Sequence, residues 1–105
     1  MRPGRNYHED LIKDLKNRKE AATYLNAALE SGDKKAFLLA LRNVLEAQGG
    51  MTRIARRTKL NRVSLYKMLS KGGNPALENI MSLLNVIGAK FQVTTKKESR
   101  YKKAA

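Results

Sequence analysis

The sequence predicts an all-α fold of five or six helices that ends in a short β-strand, and three observations support this prediction. Apolar residues recur at spacings of three and four through most of the chain. Asn, Asp, Gly and Pro stand where such helices would begin and end. Beyond Gly88 the spacing changes to strict alternation, which is typical of a strand. A chain of 105 residues suffices for one domain with a modest core.

The first third of the chain predicts two helices after a flexible arm. Residues 1–6 show no periodic pattern, which favours a loose arm. Residues 7–16 place apolar side chains at helical spacing. Asn17 stands three residues before Glu20, which resembles a capping box, and the helix that begins there should end at residues 31–33.

Two further helices are predicted in the middle and near the end of the chain. Asp33 is the expected N-cap of a third helix, which the glycine pair at 49–50 should end. Asn74 and Pro75 together predict the start of the last helix, since Asn is a preferred cap and Pro favours the first helical position. Gly88 should end that helix.

Between the glycine pair and the last helix lie two short helical patterns. Residues 51–58 place three apolar side chains on one stripe and leave arginines outside it. After a break at 59–61, the same spacing returns with Leu65, Met68 and Leu69. Two short helices with basic outer faces are the layout of a DNA-binding helix-turn-helix. The alternative is a pair of amphipathic helices in a small bundle, whose arginines form a solvated face.

The second helix of such a motif presents its N-terminal residues to base edges, while the first crosses the DNA backbone. Val63 is the most informative residue, because no packing role explains a β-branched side chain on the polar face, whereas a thymine methyl would contact it. The residues expected to read bases are Asn61, Arg62, Val63, Ser64 and Lys67. Those expected to contact the phosphate backbone are Thr52, Arg53, Arg56, Arg57, Tyr66 and Lys71.

The formal net charge of +13 is distributed unevenly along the chain. Residues 1–33 contain six basic and six acidic residues, residues 34–88 contain ten and two, and residues 89–105 contain six and one. The excess therefore lies in the helix-turn-helix half and the tail. Segregated positive charge indicates a surface that binds a polyanion, since cations gain free energy by releasing counterions from phosphates.

The alternating segment at 89–95 predicts a half-buried strand. Because one strand cannot satisfy its own backbone and no second strand is evident, we expect it to pair with the same strand of a second copy, forming a homodimer. The alternatives are an extended segment that lies on the helices, or pairing with the N-terminal arm. The tail at 96–105 has five basic residues and one acidic residue, which favours a phosphate-contacting arm or, alternatively, a solubilising end.

Catalysis, cofactor binding and membrane insertion are not expected. The chain has no cysteine, and its single histidine, His8, stands beside Glu9 and Asp10, which do not share its helix face. Neither glycine pair has phosphate-loop spacing. The absence of a long apolar run and of a signal-peptide pattern predicts a cytoplasmic protein. We expect the methionines on apolar stripes to pack in the core rather than bind a soft metal, namely Met51, Met68 and Met81.

Several segments of the chain resemble a known family: YLNAALE at 24–30 with Gly32 and Asp33, ALRNV at 40–44, Met51 and Thr52 with Ile54 and Ala55, SLYKMLS at 64–70, and GNP at 73–75. Over about residues 7–93 the chain strongly resembles the addiction-module antidote proteins. These are HigA-type antitoxins, also called DNA-binding prophage proteins, of the phage-repressor-like helix-turn-helix superfamily. Lys59 departs from the family pattern, which usually has glycine at this turn.

The resemblance implies about five helices around the helix-turn-helix and a dimer that binds double-stranded DNA at an inverted repeat in its own promoter. It also implies a partner toxin of the small ribonuclease-like RelE/ParE class. Since toxins of this class are themselves basic, we expect contact with the charge-balanced first third of the chain. The acidic residues suited to that contact are Glu9, Asp10, Asp14, Glu20 and Glu30.

The expected function is therefore a DNA-binding transcriptional repressor that serves as the antitoxin of its module. Three alternatives stay open: an antidote that mainly occludes its toxin, a stand-alone prophage regulator without a toxin, and a nonspecific nucleic-acid-binding protein. The expected organisation is a flexible arm at 1–6, a partner-binding helical segment at 7–33, a helix-turn-helix core at 34–88, a strand at 89–95 and a basic tail at 96–105.

Overall fold

A computed structural model describes residues 6–96 and confirms the all-α class. The arm at 1–5 and the tail at 97–105 lie outside the described residues. Among the described helices none is long and apolar enough to cross a membrane. The helices are α1 (Tyr7–Asp14), α2 (Arg18–Glu30), α3 (Lys34–Ala47), α4 (Met51–Thr58), α5 (Arg62–Met68) and α6 (Leu77–Val86).

Side chains of Asn and Asp begin the first three helices. Asn6 caps α1, and the Oδ1 atom of Asn17 accepts a hydrogen bond from the backbone N–H of Glu20 at 3.0 Å. The Oδ1 atom of Asp33 accepts from the backbone N–H of Lys35 at 2.9 Å. Each bond satisfies a backbone donor that the first helical turn leaves free. The predicted helix starts at Asn17 and Asp33 are confirmed.

Helix α3 lies at the centre of the fold and packs against α1, α2 and α4. Its inner face consists of Leu41, Val44 and Leu45, whose side chains are completely buried. Asn43 is also buried, and its Nδ2 atom donates a hydrogen bond to the Tyr24 hydroxyl of α2 at 3.0 Å. This bond offsets the cost of burying an amide and fixes α2 relative to α3.

Helix α1 is held to α3 largely through its end. It stops at Asp14, two residues earlier than the pattern predicted, and no side chain within it is fully buried. Leu15, directly after it, is buried in the core. The Nε2 atom of Gln48 donates to the carbonyl oxygens of Leu15 at 2.8 Å and Lys16 at 3.1 Å, which satisfies acceptors at the end of α1.

The helix-turn-helix forms as the spacing predicted. Helices α4 and α5 pack against each other, and α4 also packs on α3 and α6. Ile54 of α4 and Leu65 of α5 are buried, together with Leu69, which directly follows α5. The three residues between the helices, 59–61, match the predicted break.

The turn between α4 and α5 contains a left-handed residue. Lys59 has φ 61° and ψ 22°, and it is the only non-glycine residue of the described range with a positive φ. The backbone N–H groups of Lys59 and Leu60 both donate to the carbonyl oxygen of Ala55, which closes α4. An L-residue pays a steric cost in this conformation, since its Cβ crowds the backbone.

Helix α6 ends at the predicted glycine. Gly88 has φ +76° and donates its N–H to the carbonyl of Asn85 at 3.0 Å, while the N–H of Ala89 donates to the carbonyl of Leu84 at 2.8 Å. These two bonds form a Schellman motif, which requires a left-handed residue where Gly88 stands.

The predicted start of α6 at Asn74 and Pro75 is wrong. The helix begins at Leu77, and its N-cap is Ala76, whose side chain has no acceptor to offer. Gly73 packs against the last carbonyl groups of α5. Residues 74–76 are not helical and lead to the first residue of α6. Asn74 and Pro75, which the capping pattern assigned to the start of α6, therefore belong to the connection between α5 and α6.

The predicted core role of Met81 is also wrong, since 54% of this residue is exposed, whereas Met51 is buried. Helix α6 turns Ile80, Leu83 and Leu84 toward the core. The apolar run of this helix is wide enough to allow several rotations about its axis. Packing of α6 against α4 fixes the rotation, in which Met81 faces solvent.

The predicted strand at 89–95 is not seen, since no residue of the described range 6–96 forms a strand in the single chain. Only the start of this segment contacts the helices. The rings of Phe91 and Phe37 pack at a centroid distance of 6.4 Å, and Ala89 is partly buried against the core. The alternation does not correspond to burial beyond Phe91, since Val93 is 96% exposed. A single copy offers this segment no strand edge.

We expect Gly73→Ala to destabilise the fold by about 1 to 3 kcal/mol, because a clash with backbone must be relieved by moving it. A Cβ at this position would lie 2.0 Å from the carbonyl oxygen of Met68. Urea unfolding measures the effect. Gly72→Ala is the matched control, since its Cβ would meet nothing within 4 Å, and an equal loss in both variants would contradict the packing explanation.

We expect Lys59→Gly to raise the free energy of unfolding by about 0.5 to 1 kcal/mol, since glycine relieves the left-handed strain at a smaller entropic cost. Lys59→Ala removes the same charge and keeps the Cβ, so it should give no gain. Chemical unfolding of the three proteins at one salt concentration makes the comparison. Equal stabilisation by both substitutions would assign the effect to charge rather than to backbone strain.

Candidate nucleic-acid interface

The two faces of α5 differ sharply in burial. Leu65 is completely buried, whereas Val63 is 75% exposed. Arg62, Ser64 and Lys67 are exposed as well. One side of α5 therefore packs in the core, and the other side faces solvent. The predicted base-reading residues of α5 all lie on the exposed side. Val63 has no packing partner that would account for its apolar side chain.

Asn61 is the N-cap of α5, and its side-chain oxygen is used in this role. Its Oδ1 atom accepts hydrogen bonds from the backbone N–H groups of Val63 at 2.8 Å and Ser64 at 3.2 Å. The side-chain NH₂ group stays available as a donor. Asn61 can therefore donate to a base or a phosphate in this rotamer, but it cannot form the bidentate pair with adenine, which also needs the amide oxygen.

Helix α4 carries the arginines expected to contact the DNA backbone. Thr52, Arg53, Arg56 and Arg57 are all exposed. Gly50 occupies the N-cap position and provides no side-chain acceptor, so no side chain caps the first N–H groups of α4. Free N–H groups at the start of a helix are suited to bind an anion.

The structure brings Arg62 and Tyr66 together and adds a residue that the sequence interpretation missed. The guanidinium carbon of Arg62 lies 5.8 Å from the centroid of the Tyr66 ring. The guanidinium carbon of Arg42, from α3, lies 5.1 Å from the same centroid. Both distances are within the range of a cation–π interaction. Tyr66, on α5, is half-buried.

The other predicted residues fall into two grooves beside α5. Ser64 and Lys67 line one of them together with the loop at 70–74. Lys71 lines the second, where Lys35 and Arg42 of α3 also lie. The sequence-based interpretation gave no binding role to the outer face of α3. The signal was present, since Lys35, Leu39 and Arg42 recur at spacings of four and three.

The interface residues combine positive charge with an absence of local carboxylates. Neither α4 nor α5 contains Asp or Glu. Of the two carboxylates in residues 34–88, Glu46 lies 3.2 Å from His8 Nε2 and Glu78 is exposed in the first turn of α6. Within residues 6–96, no group of three His, Cys, Asp or Glu side chains could hold a metal ion. This arrangement is suited to bind a polyanion.

Comparison with known proteins identifies the family. The family described as probable addiction module antidote protein matches residues 7–95, which include all six helices and the segment after them. The chain is also similar to an uncharacterized protein of Haemophilus influenzae (strain ATCC 51907 / DSM 11121 / KW20 / Rd), at 33% identity over 84 residues that cover 80% of this chain and 86% of that protein. No solved structure matches the chain. The chain belongs to the family of probable addiction module antidote proteins.

Proposed function

We propose that the protein is the antitoxin of a toxin–antitoxin module and that, as a homodimer, it represses its own promoter by binding an inverted repeat. Membership of the antidote family supports the antitoxin role. The exposed basic face of α5, held by the buried Leu65, is the observation that supports DNA binding most directly. The proposed role belongs in the cytoplasm and requires neither catalysis nor a cofactor.

In the proposed complex, the N-terminal half of α5 enters the major groove. Arg62 would donate two hydrogen bonds to a guanine, and Val63 would contact a thymine methyl, which accounts for its exposure. Ser64 and Lys67 lie on the same exposed side and would donate to further base edges. Asn61 would contribute its remaining donor, since its oxygen is used in capping.

Phosphate contacts would come from α4 and from the residues beside α5. Thr52 and Arg53 stand in the first turn of α4, where no side chain caps the free N–H groups, so an approaching phosphate would meet backbone and side-chain donors together. The remaining contacts are proposed for Arg56, Arg57, Tyr66 and Lys71. Such contacts fix the position of the protein on DNA and add affinity without sequence preference.

We propose that a second copy of the chain packs on apolar side chains that are exposed in the single copy. Leu77 and Met81 of α6 are more than half exposed, and Val93 is 96% exposed. The extended segment at 89–95 follows α6 directly, so a partner that covers one could reach the other. A dimer through this surface would place two recognition helices on two half-sites one helical turn apart.

The proposed toxin-binding surface is the outer side of α1 and α2. Asp14 is the last residue of α1 and Glu30 the last residue of α2, and both are exposed. A negative charge at the C-terminus of a helix opposes the helix dipole, so these carboxylates do not serve helix stability. Contact with a basic toxin of the RelE/ParE class would give them a role.

The main rival is a nonspecific nucleic-acid-binding protein, which the charge of residues 34–88 would also suit. Selection of bound fragments from random DNA at near-physiological salt separates the two. The proposal expects enrichment of a palindromic sequence, because two copies related by a twofold axis read two inverted half-sites. Binding without enrichment would favour the rival.

On the selected sequence we expect Arg62→Ala to cost about 1 to 3 kcal/mol and to relax the preference at one base pair, because the bidentate donor is lost. Arg53→Ala is the matched control, since it should weaken binding to selected and random duplexes alike. Equilibrium binding to both duplexes makes the comparison. Equal losses on the two duplexes for Arg62→Ala would contradict its base-reading role.

We expect the double variant Asp14→Asn, Glu30→Gln to bind the proposed RelE/ParE-class toxin about tenfold more weakly, since it removes two attractive charges from the contact. Its stability should not fall, because both carboxylates oppose a helix dipole. Titration calorimetry with the purified toxin measures the effect. Glu78→Gln, which removes an exposed carboxylate of α6, should bind like wild type, and an equal loss there would contradict the proposed surface.

A further inference from the structure

Two arginines from different helices share one aromatic ring. Arg42 comes from α3 and Arg62 from the start of α5, and their guanidinium carbons lie 5.1 Å and 5.8 Å from the centroid of Tyr66. The ring holds both groups by the same electrostatic attraction between a cation and its π-system. Arg42 is half-buried, so its long side chain is supported along its length rather than extended freely into solvent.

Neither guanidinium group has an anionic partner in the described part of the chain. Within residues 6–96, neither Arg42 nor Arg62 forms an ion pair or a hydrogen bond through its side chain, and α5 contains no carboxylate. Two cations near one ring repel each other, and a bound anion would relieve that repulsion. Guanidinium groups are suited to this role, because their planar donors match phosphate oxygens.

The positive charge continues from the ring into the neighbouring groove. Arg42 lines this groove with Lys35 of α3 and Lys71 of the loop after α5, and its apolar lining includes Leu39 and Leu69. No carboxylate lines it. Lys35 and Arg42 are seven residues apart on one helix and therefore lie on the same face. The cations thus form a connected basic surface that crosses from α5 onto α3.

We propose that Arg42, packed against the Tyr66 ring, is a phosphate-binding residue that extends the DNA interface onto the outer face of α3. This inference rests on the proposed DNA-binding function and adds a residue to it. Arg42 donates to a backbone phosphate, and the Tyr66 ring sets the plane of its guanidinium group. Arg62 shares the ring and is thereby positioned at the start of the recognition helix.

A phosphate is a better partner for Arg42 than a base edge. Arg42 reaches α5 at Tyr66, which is half-buried, whereas the residues proposed to read bases lie on the exposed side of that helix. It also belongs to a helix whose inner face is the core of the fold. A donor fixed on the scaffold suits the sequence-independent contacts that set the register of a recognition helix on DNA.

The test is the salt dependence of binding to a selected and to a random duplex. We expect Arg42→Ala to weaken binding to both by about tenfold at physiological salt. The slope of log K against log salt should fall by about one, which is the signature of one lost phosphate contact. Arg42→Lys keeps the charge and loses the planar fork, so it should keep the wild-type slope and bind with intermediate affinity.

Lys19→Ala is the charge-matched control, since it removes one exposed cation from α2 and should leave the slope unchanged. Thermal unfolding of each variant separates loss of fold from loss of contact. An unchanged slope in a folded Arg42→Ala variant would overturn the phosphate site and leave the proposed function intact. A wild-type protein without sequence preference would overturn the proposed function, and one that binds neither duplex would overturn both.

Discussion

The completely buried face of α3, formed by Leu41, Val44 and Leu45, is the contact on which the rest of the structure depends. Helices α1, α2 and α4 pack on α3 directly. Helix α6 is joined to it through α4, and α5 through α4 and the contact of Arg42 with Tyr66. Each such side chain contributes about 1.5 to 3 kcal/mol by its removal from water. One helix therefore links the charge-balanced N-terminal elements to the basic helices α4 and α5, and part of its outer face remains exposed.

The features that sequence predicted well are those set by a residue and its immediate neighbours. Asn17 and Asn61 cap helices through their own side chains, and Gly88 ends α6 because of its own φ. The failures concern contacts between distant parts of the chain. The rotation of α6 that exposes Met81 and the contact of Phe91 with Phe37 both depend on partners that local periodicity does not specify.

The same distinction applies to the candidate interface. The exposed face of α5 could be predicted, because the buried positions at 65 and 69 fix which side Val63 must occupy. Arg42 could not be placed beside Tyr66, since the two residues are 24 positions apart and meet only after α3, α4 and α5 have packed. The capping role of Asn61 was predicted, yet its consequence for base recognition follows only from the rotamer that the structure shows.

Helix α1 is attached to the rest of the fold by few buried contacts. With no fully buried side chain of its own, α1 is retained by Leu15, by two hydrogen bonds from Gln48 and by an exposed contact between His8 and Glu46. Local unfolding of this segment consequently costs less free energy than opening of the α3 core. A ligand that binds α1 only in its folded form would raise that opening free energy by RT ln(1 + L/Kd), where L is the concentration of free ligand and Kd its dissociation constant. Slower hydrogen exchange of the α1 backbone amides would then report that such a ligand is bound.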